Sequence, residues 1–186
     1  QRLPLPENSI DLIVTSPPYA ANAIDYMRAH KFSLVWLGHT VDNLSQKRGE
    51  YIGGEAITGI NYVPLPDEAA QVVSHIADVD EKKGQVLHRY YSEMTRVLKE
   101  MLRVLKPGKA AIVVVGSSTM RGRDTQADIC LKSIGEAIGF DVPKVGIRYL
   151  DRDRRMMPTG NKVDKKSQIQ QRMHEEYVIG FYKPLN

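Results

Sequence analysis

Hydrophobic positions along the chain follow two patterns, short unbroken runs and longer stretches with a helical period. The runs predict β-strands at 12–14, 110–115, 142–149 and 176–182. The periodic stretches predict α-helices at 24–37, 67–78, 84–105 and 125–138. The clearest apolar stripe lies in 84–105 and consists of Leu87, Tyr91, Met94, Leu98, Met101, Leu102 and Leu105. Because strands and long helices are mixed along the chain, the pattern indicates an α/β domain.

The same pattern predicts which side chains form the core. Strand 12–14 is apolar throughout, so it is expected to be buried. Thr125 and Asp128 are predicted to form a capping box at the start of helix 125–138, and Asp67 to cap helix 67–78. The residues expected in the core also include Met27, Leu34, Val35, Trp36, Leu37 and Cys130.

Strand 12–14 runs directly into Ser16-Pro17-Pro18-Tyr19. The two prolines have no N–H for a strand ladder, so the chain must leave the sheet at the carboxyl end of the strand. Open α/β sheets bind their ligands at that edge. A stiff turn there holds a hydroxyl, a carbonyl and an aromatic ring in fixed positions, a set that suits a flat base with an exocyclic amine.

Thr15 to Tyr19, behind an Asp-Leu-Ile-Val strand, resembles the catalytic motif of the amino-methylating DNA methyltransferases, which use S-adenosylmethionine. The helix, Leu-Lys-Pro-Gly turn and strand that span 84–115 resemble methyltransferases in general. The resemblance implies a Rossmann-like fold with three α/β/α layers, a mostly parallel sheet and an antiparallel C-terminal strand. Residues 1–186 are then expected to be a partial, catalytic half-domain, with an irregular insertion at about 39–66.

The resemblance implies a site-specific DNA methyltransferase of the restriction–modification kind. A tetrapeptide that begins with Ser is most typical of cytosine-N4 enzymes, although some adenine-N6 enzymes also carry it. Cytosine N4 is therefore the first expectation. Adenine-N6 methylation, RNA base methylation and a non-catalytic nucleic-acid-binding module remain open.

The resemblance also implies roles for individual residues. Ser16, Pro17, Pro18 and Tyr19 are the expected catalytic residues, and Thr15, Ser16 and Pro17 are expected to line part of the cofactor site. Residues expected at the target base or the DNA are Asn22, Tyr26, Gly116, Ser117, Arg154 and Arg155. Each pair also has a purely structural alternative. Asn22 and Tyr26 would belong to a plain helix start, Gly116 and Ser117 to a tight turn, and Arg154 and Arg155 to a solvated loop.

A cofactor-anchoring motif is missing from the sequence. A nucleoside cofactor in this fold needs a strand, a glycine-rich turn and an acidic residue for the ribose. No Gly-x-Gly follows a strand: Gly53-Gly54 lies in a polar loop and Gly116 stands alone. We therefore expect the other half of the cofactor site in a partner segment or chain. It is expected upstream, but the family occurs in both orders.

Composition and charge exclude several other classes of protein and kinds of site. The net charge of +4 and the pI near 9.1 are compatible with DNA as a partner without requiring it. A single cysteine excludes an internal disulfide framework and a cysteine-rich zinc site, and the five histidines have no metal-ligand spacing. No apolar run is long enough to predict a membrane span, so we expect a cytoplasmic protein that needs neither a metal nor a membrane.

Overall fold

The computed structural model describes residues 2–20, 26–40, 51–55, 57–116, 118–149 and 175–185. Its helices are α1 (Tyr26–Trp36), α2 (Asp67–Ala77), α3 (Glu81–Val104) and α4 (Ala127–Ala137). Its strands are β1 (Ile10–Thr15), β2 (Leu105–Gly116), β3 (Thr119–Met120), β4 (Arg123–Asp124), β5 (Val145–Tyr149) and β6 (Glu175–Tyr182). None of the described helices is long and apolar enough to cross a membrane.

Four strands form a mixed sheet in the order β1-β2-β6-β5, and β3 and β4 form a separate hairpin. β1 pairs with β2 in parallel, whereas β6 runs antiparallel to both β2 and β5. The α/β class and the antiparallel C-terminal pair are therefore confirmed. Because β6 is antiparallel, its first residues lie at the edge where β1 and β2 end.

Helices cover one face of this sheet. Ala111, Val113, Ile179 and Phe181 point to that face and are fully buried. α4 approaches so closely that a Cβ on Gly135 would lie 2.4 Å from the Phe181 ring. α2 packs across α3 and α4, which completes the helical layer.

The opposite face, here called the open face, consists of Leu12, Val14, Ile112, Val114 and Val178. Among the described residues, no helix packs extensively against it. Leu12 is 59% exposed and Val14 66% exposed, so the prediction that strand 12–14 is buried was wrong. An apolar run indicates burial on both faces, but among the described residues helices cover only one face of the sheet.

Helix α1 also departs from the prediction. It makes no extensive contact with another described element. Trp36 is 89% exposed and Leu37 and Val35 are also exposed, although all three were expected in the core, while Leu34 is half-buried. The side chains of Tyr26 and Met27 lie outside the described part of the structure.

Two predicted helix caps differ from those observed. α4 begins at Ala127 after Gln126, and the Thr125 hydroxyl bonds to Ser118 instead of capping the helix. Asp67 lies inside the first turn of α2, with Pro66 at the cap position. α3 starts three residues before the predicted 84, because Asp80 accepts a hydrogen bond from the Lys83 N–H.

The described part of the predicted insertion contains no helix or strand, yet it is fixed along α3. Glu93 accepts a hydrogen bond from the Gly53 N–H, and Ser92 accepts one from the Val63 N–H. Tyr62 packs against the His88 ring, and Arg96 donates to the Asn61 carbonyl. Residues 41–50 lie outside the described part of the chain.

Candidate functional site

The Ser16-Pro17-Pro18-Tyr19 turn leaves the carboxyl end of β1 as predicted. Thr15 is the last strand residue and pairs with Val113 in the register of β2. Pro17 is buried, Pro18 and Tyr19 are half-buried, and the following Ala20 is 1% exposed. Ser16 remains exposed. The turn is therefore anchored from Pro17 onward, while the Ser16 hydroxyl is accessible to a ligand.

Glu176, at the start of β6, contacts the Tyr19 side chain. The Tyr19 hydroxyl donates to Glu176 Oε1 at 3.3 Å. Arg148 Nη2, on β5, forms an ion pair with Glu176 Oε2 at 2.8 Å. Glu176 lies directly opposite Gly116 in the β2–β6 ladder, so it belongs to the same edge as the turn.

The end of β2 is fixed by buried hydroxyl groups. Ser118 and Thr125 are 3% and 0% exposed, and their hydroxyl oxygens lie 2.7 Å apart. Tyr91 donates from its hydroxyl to the Thr125 carbonyl at 2.6 Å. These bonds close the base of the β3–β4 hairpin, because Ser118 precedes it and Thr125 follows it. Gly116 therefore ends β2 next to a rigid support.

Several carboxylates lie near Tyr177 and affect the pKa of its phenol. Burial, followed by the charges of Asp128, Asp124 and Glu175, raises the pKa of Tyr177 to about 12. Tyr177 therefore remains a neutral phenol at physiological pH and donates to Glu175 Oε2 at 3.3 Å. Burial also raises the pKa of Asp128, and the negative charges of Asp124 and Glu175 add to that rise.

The structure brings Thr15, the Ser16–Tyr19 turn and Gly116 to one edge. Of the other predicted site residues, Asn22, Ser117, Arg154 and Arg155 lie outside the described residues, as does the side chain of Tyr26. Sequence reasoning missed Glu176 and Arg148. The available signal was topological: a last strand predicted to be antiparallel must begin at the ligand-binding edge, so a charged residue at its start is a site candidate.

No group of three or more potential metal-ligating side chains occurs among the residues that the structure describes. A groove of about 620 Å³ runs beside β1 and is lined by residues of β1, α3 and the segment before β1. Thr15, Ile13 and Met101 are among its lining residues, together with Glu93 and Ile52. Its wall is mainly apolar, and it reaches the strand end from which the turn leaves.

The DNA methylase family, of the N6/N4 type, matches residues 10–179. This chain belongs to that family. The match covers the turn, both strands that end beside it and the start of β6, so the predicted membership is confirmed. S-adenosylmethionine is the methyl donor that the resemblance implied. No Gly-x-Gly follows a strand in the sequence.

Individual relatives are type II methyltransferases. M.AvaI of Nostoc sp. is 28% identical over 155 residues, which cover 73% of this chain and 32% of that protein. M.MvaI of Kocuria varians is 25% identical over 171 residues, covering 86% of this chain and 37% of its own length. The chain thus spans about a third of the length of the curated relatives that it matches.

A solved structure supports the fold. The PvuII DNA methyltransferase, described as cytosine-N4-specific, matches 98% of this chain and 45% of its own chain with a TM-score of 0.51 and 16% identity. The similarity therefore confirms the α/β methyltransferase fold and its partial extent.

Proposed function

We propose that residues 1–186 form the catalytic half of a DNA methyltransferase that transfers the methyl group of S-adenosylmethionine to an exocyclic base amine. Cytosine N4 is the preferred target and adenine N6 the alternative, because the motif begins with Ser. The supporting observation is the position of the Ser16–Tyr19 turn, which leaves the carboxyl end of β1 beside Gly116 in a chain of this family.

The proposed chemistry uses groups of the turn. An exocyclic amine is a poor nucleophile because its lone pair is conjugated with the ring. Acceptance of its two hydrogens by the Ser16 hydroxyl and the Pro17 carbonyl would return electron density to nitrogen and orient it toward the donor. Tyr19 would stack on the base, which must leave the duplex to reach the site. Proximity and orientation would then supply most of the rate.

The cofactor-anchoring half is proposed to cover the open face and the free edge of β1. Four observations support this occupant: the apolar open face, the mainly apolar groove beside β1, the unpaired edge of β1 in the described sheet, and the one-third coverage of the relatives. The cofactor-anchoring half would contain the glycine-rich turn that this sequence lacks. It is proposed as part of the same longer protein or as a partner chain.

DNA is the proposed substrate. Arg154 and Arg155 are proposed to contact its phosphates, which hold a protein on the duplex without reading sequence. Each lost contact is then expected to reduce the slope of log affinity against log salt by about 0.9. A salt titration of wild type and Arg154→Ala/Arg155→Ala, on cognate and scrambled duplexes, tests this. Equal slopes would assign both arginines to solvent.

The deciding experiment is methylation by the full-length protein followed by nucleoside mass spectrometry. N4-methylcytosine in DNA is the expected product. N6-methyladenine would reassign the target base, and methylated RNA would reassign the substrate. No product, combined with no binding of S-adenosylmethionine, would instead indicate a nucleic-acid-binding module that has lost its activity.

A further inference from the structure

The carboxylate of Glu176 makes two directed contacts from a single side chain. One oxygen accepts from the Tyr19 hydroxyl at 3.3 Å, and the other pairs with Arg148 Nη2 at 2.8 Å. The Glu176 side chain is 17% exposed, whereas Arg148 is 66% exposed. A mostly covered carboxylate is costly without a partner, and Arg148 supplies the compensating charge from the solvent side.

These contacts fix the far end of the Tyr19 side chain. The buried Pro17 and Ala20 hold the backbone on either side, so one end of the side chain is already set. The half-buried ring packs against the hydrophobic core, and its two side-chain torsions determine where the hydroxyl lies. A hydrogen bond at the hydroxyl restricts both torsions together. Because this bond is made at the edge of the ring, the bond itself does not cover the ring face.

We propose that Glu176 is a positioning residue that presets the Tyr19 ring for the target base, and that Arg148 in turn positions Glu176. The proposal rests on the proposed function, since it assumes that Tyr19 receives a base. It assigns a role to Glu176 at the start of strand β6, which neither the motif nor the family match identifies. The role follows from topology, because antiparallel β6 delivers its first residues to the edge where β1 ends.

A double-mutant cycle between Tyr19→Phe and Glu176→Ala tests the proposal in the full-length methyltransferase. Tyr19→Phe removes the hydroxyl and keeps the ring. A hydrogen bond of this kind corresponds to about a three- to tenfold effect. Each single variant is expected to slow single-turnover methylation by about that factor, and the double variant no further. Glu176→Gln, whose amide oxygen still accepts from the phenol, is expected to recover most of the rate.

A second readout separates positioning from general support. With 2-aminopurine at the target position, fluorescence reports the fraction of flipped base. Both single variants are expected to lower that fraction while the thermal midpoint of Tyr19→Phe stays at the wild-type value. The matched control is Glu175→Ala, which removes the neighbouring carboxylate that accepts from Tyr177. Its effect is expected to add to that of Tyr19→Phe without coupling.

The outcomes are distinct. Wild-type rates for Tyr19→Phe, or additive effects of Tyr19→Phe and Glu176→Ala, would overturn the positioning role and leave the proposed function intact. If the wild-type protein methylates no base amine, both the positioning role and the proposed function are wrong. If Glu176→Ala fails to fold, Tyr19→Phe and Glu176→Gln alone decide: a loss with the first and near-normal rates with the second support the proposal, and any other result rejects it.

Discussion

Arg89 Nε donates to Glu93 Oε1 at 2.8 Å within α3, where the Arg89 side chain is only 2% exposed. Arg89 Nη2 also donates to the Tyr51 carbonyl at 3.2 Å, and the second oxygen of Glu93 accepts from the Gly53 N–H at 2.8 Å. The pair therefore attaches the irregular segment at 51–54 to the core helix. Removal of one partner leaves the other charge buried.

We expect Glu93→Ala to lower the free energy of unfolding by about 3 kcal/mol, because the buried Arg89 guanidinium loses its carboxylate partner. Urea unfolding measures the change. The control is Glu136→Ala, which removes a surface pair with Lys132 at 3.8 Å and should cost less than about 1 kcal/mol. Equal losses in the two variants would mean that the Arg89–Glu93 pair contributes no more than a surface pair.

Residues 1–186 alone are expected to bind S-adenosylmethionine weakly or not at all, because the sequence contains no Gly-x-Gly after a strand. Isothermal titration of the isolated chain is the measurement. Micromolar affinity would show that these residues already contain a complete cofactor site, and the proposed second half would then be unnecessary for binding.

In the full-length protein, Tyr19→Ala is expected to weaken capture of the flipped base by about ten- to a hundredfold, because it removes the stacking surface. Ser16→Ala is expected to slow the methyl-transfer step, because it removes one acceptor for the amine. Single-turnover kinetics measure both effects. Tyr182→Ala, at the opposite end of β6, and Ser74→Ala, on α2, serve as matched controls. Unchanged rates for both site variants would exclude the assigned roles.

Glu100 ties the N-terminal segment to α3 and gives a pH-dependent stability. Its hydrogen bond from Arg103, together with one from the Leu3 N–H, lowers the pKa of Glu100 to about 2. A carboxyl whose pKa is depressed on folding contributes stability above its unfolded pKa of 4.5 and loses it as pH falls through the folded value.

We therefore expect wild type to melt at a higher temperature than Glu100→Gln at pH 7, with the gap closing as the pH falls from about 4.5 toward about 2. Thermal denaturation at several pH values measures the gap. Glu136→Gln controls for the general loss of a surface carboxylate. A gap that does not change with pH would mean that the ionised form of Glu100 is not what stabilises the fold.

Cys130 is expected to be unreactive in the native protein. Burial raises the pKa of its thiol to about 11, and the sulfur donates to the Thr125 carbonyl. At pH 8 only about one thiol in a thousand would be ionised. A thiol reagent should therefore label the chain in guanidinium and not in buffer. Rapid labelling of the native protein would contradict this and show that the thiol is accessible and ionised.

Local sequence signals predicted the helices and the turn well. α3 and the Ser16–Tyr19 turn depend on periodicity and proline chemistry, which operate over a few residues. Burial was predicted less well where it depends on a distant partner. Leu12 and Trp36 have the composition of core residues, but what would cover them is not among the described residues.

Side-chain bonding was the other gap in prediction. Thr125 and Asp128 have the spacing of a capping box, yet the Thr125 hydroxyl bonds to Ser118, seven residues earlier. A buried Ser118 hydroxyl needs a partner, and that demand outweighs the local cap. The Tyr19–Glu176 contact joins residues 157 positions apart, so no local pattern could have indicated it.

The open face also has a consequence for handling the protein. Leu12 and Val14 project from a strand whose outer edge is unpaired in the described sheet, and Phe32 and Trp36 are exposed on α1. An apolar edge strand is a template for pairing with another copy. At high concentration, residues 1–186 alone should self-associate through these apolar surfaces, and co-expression with the proposed cofactor-anchoring half should suppress that self-association.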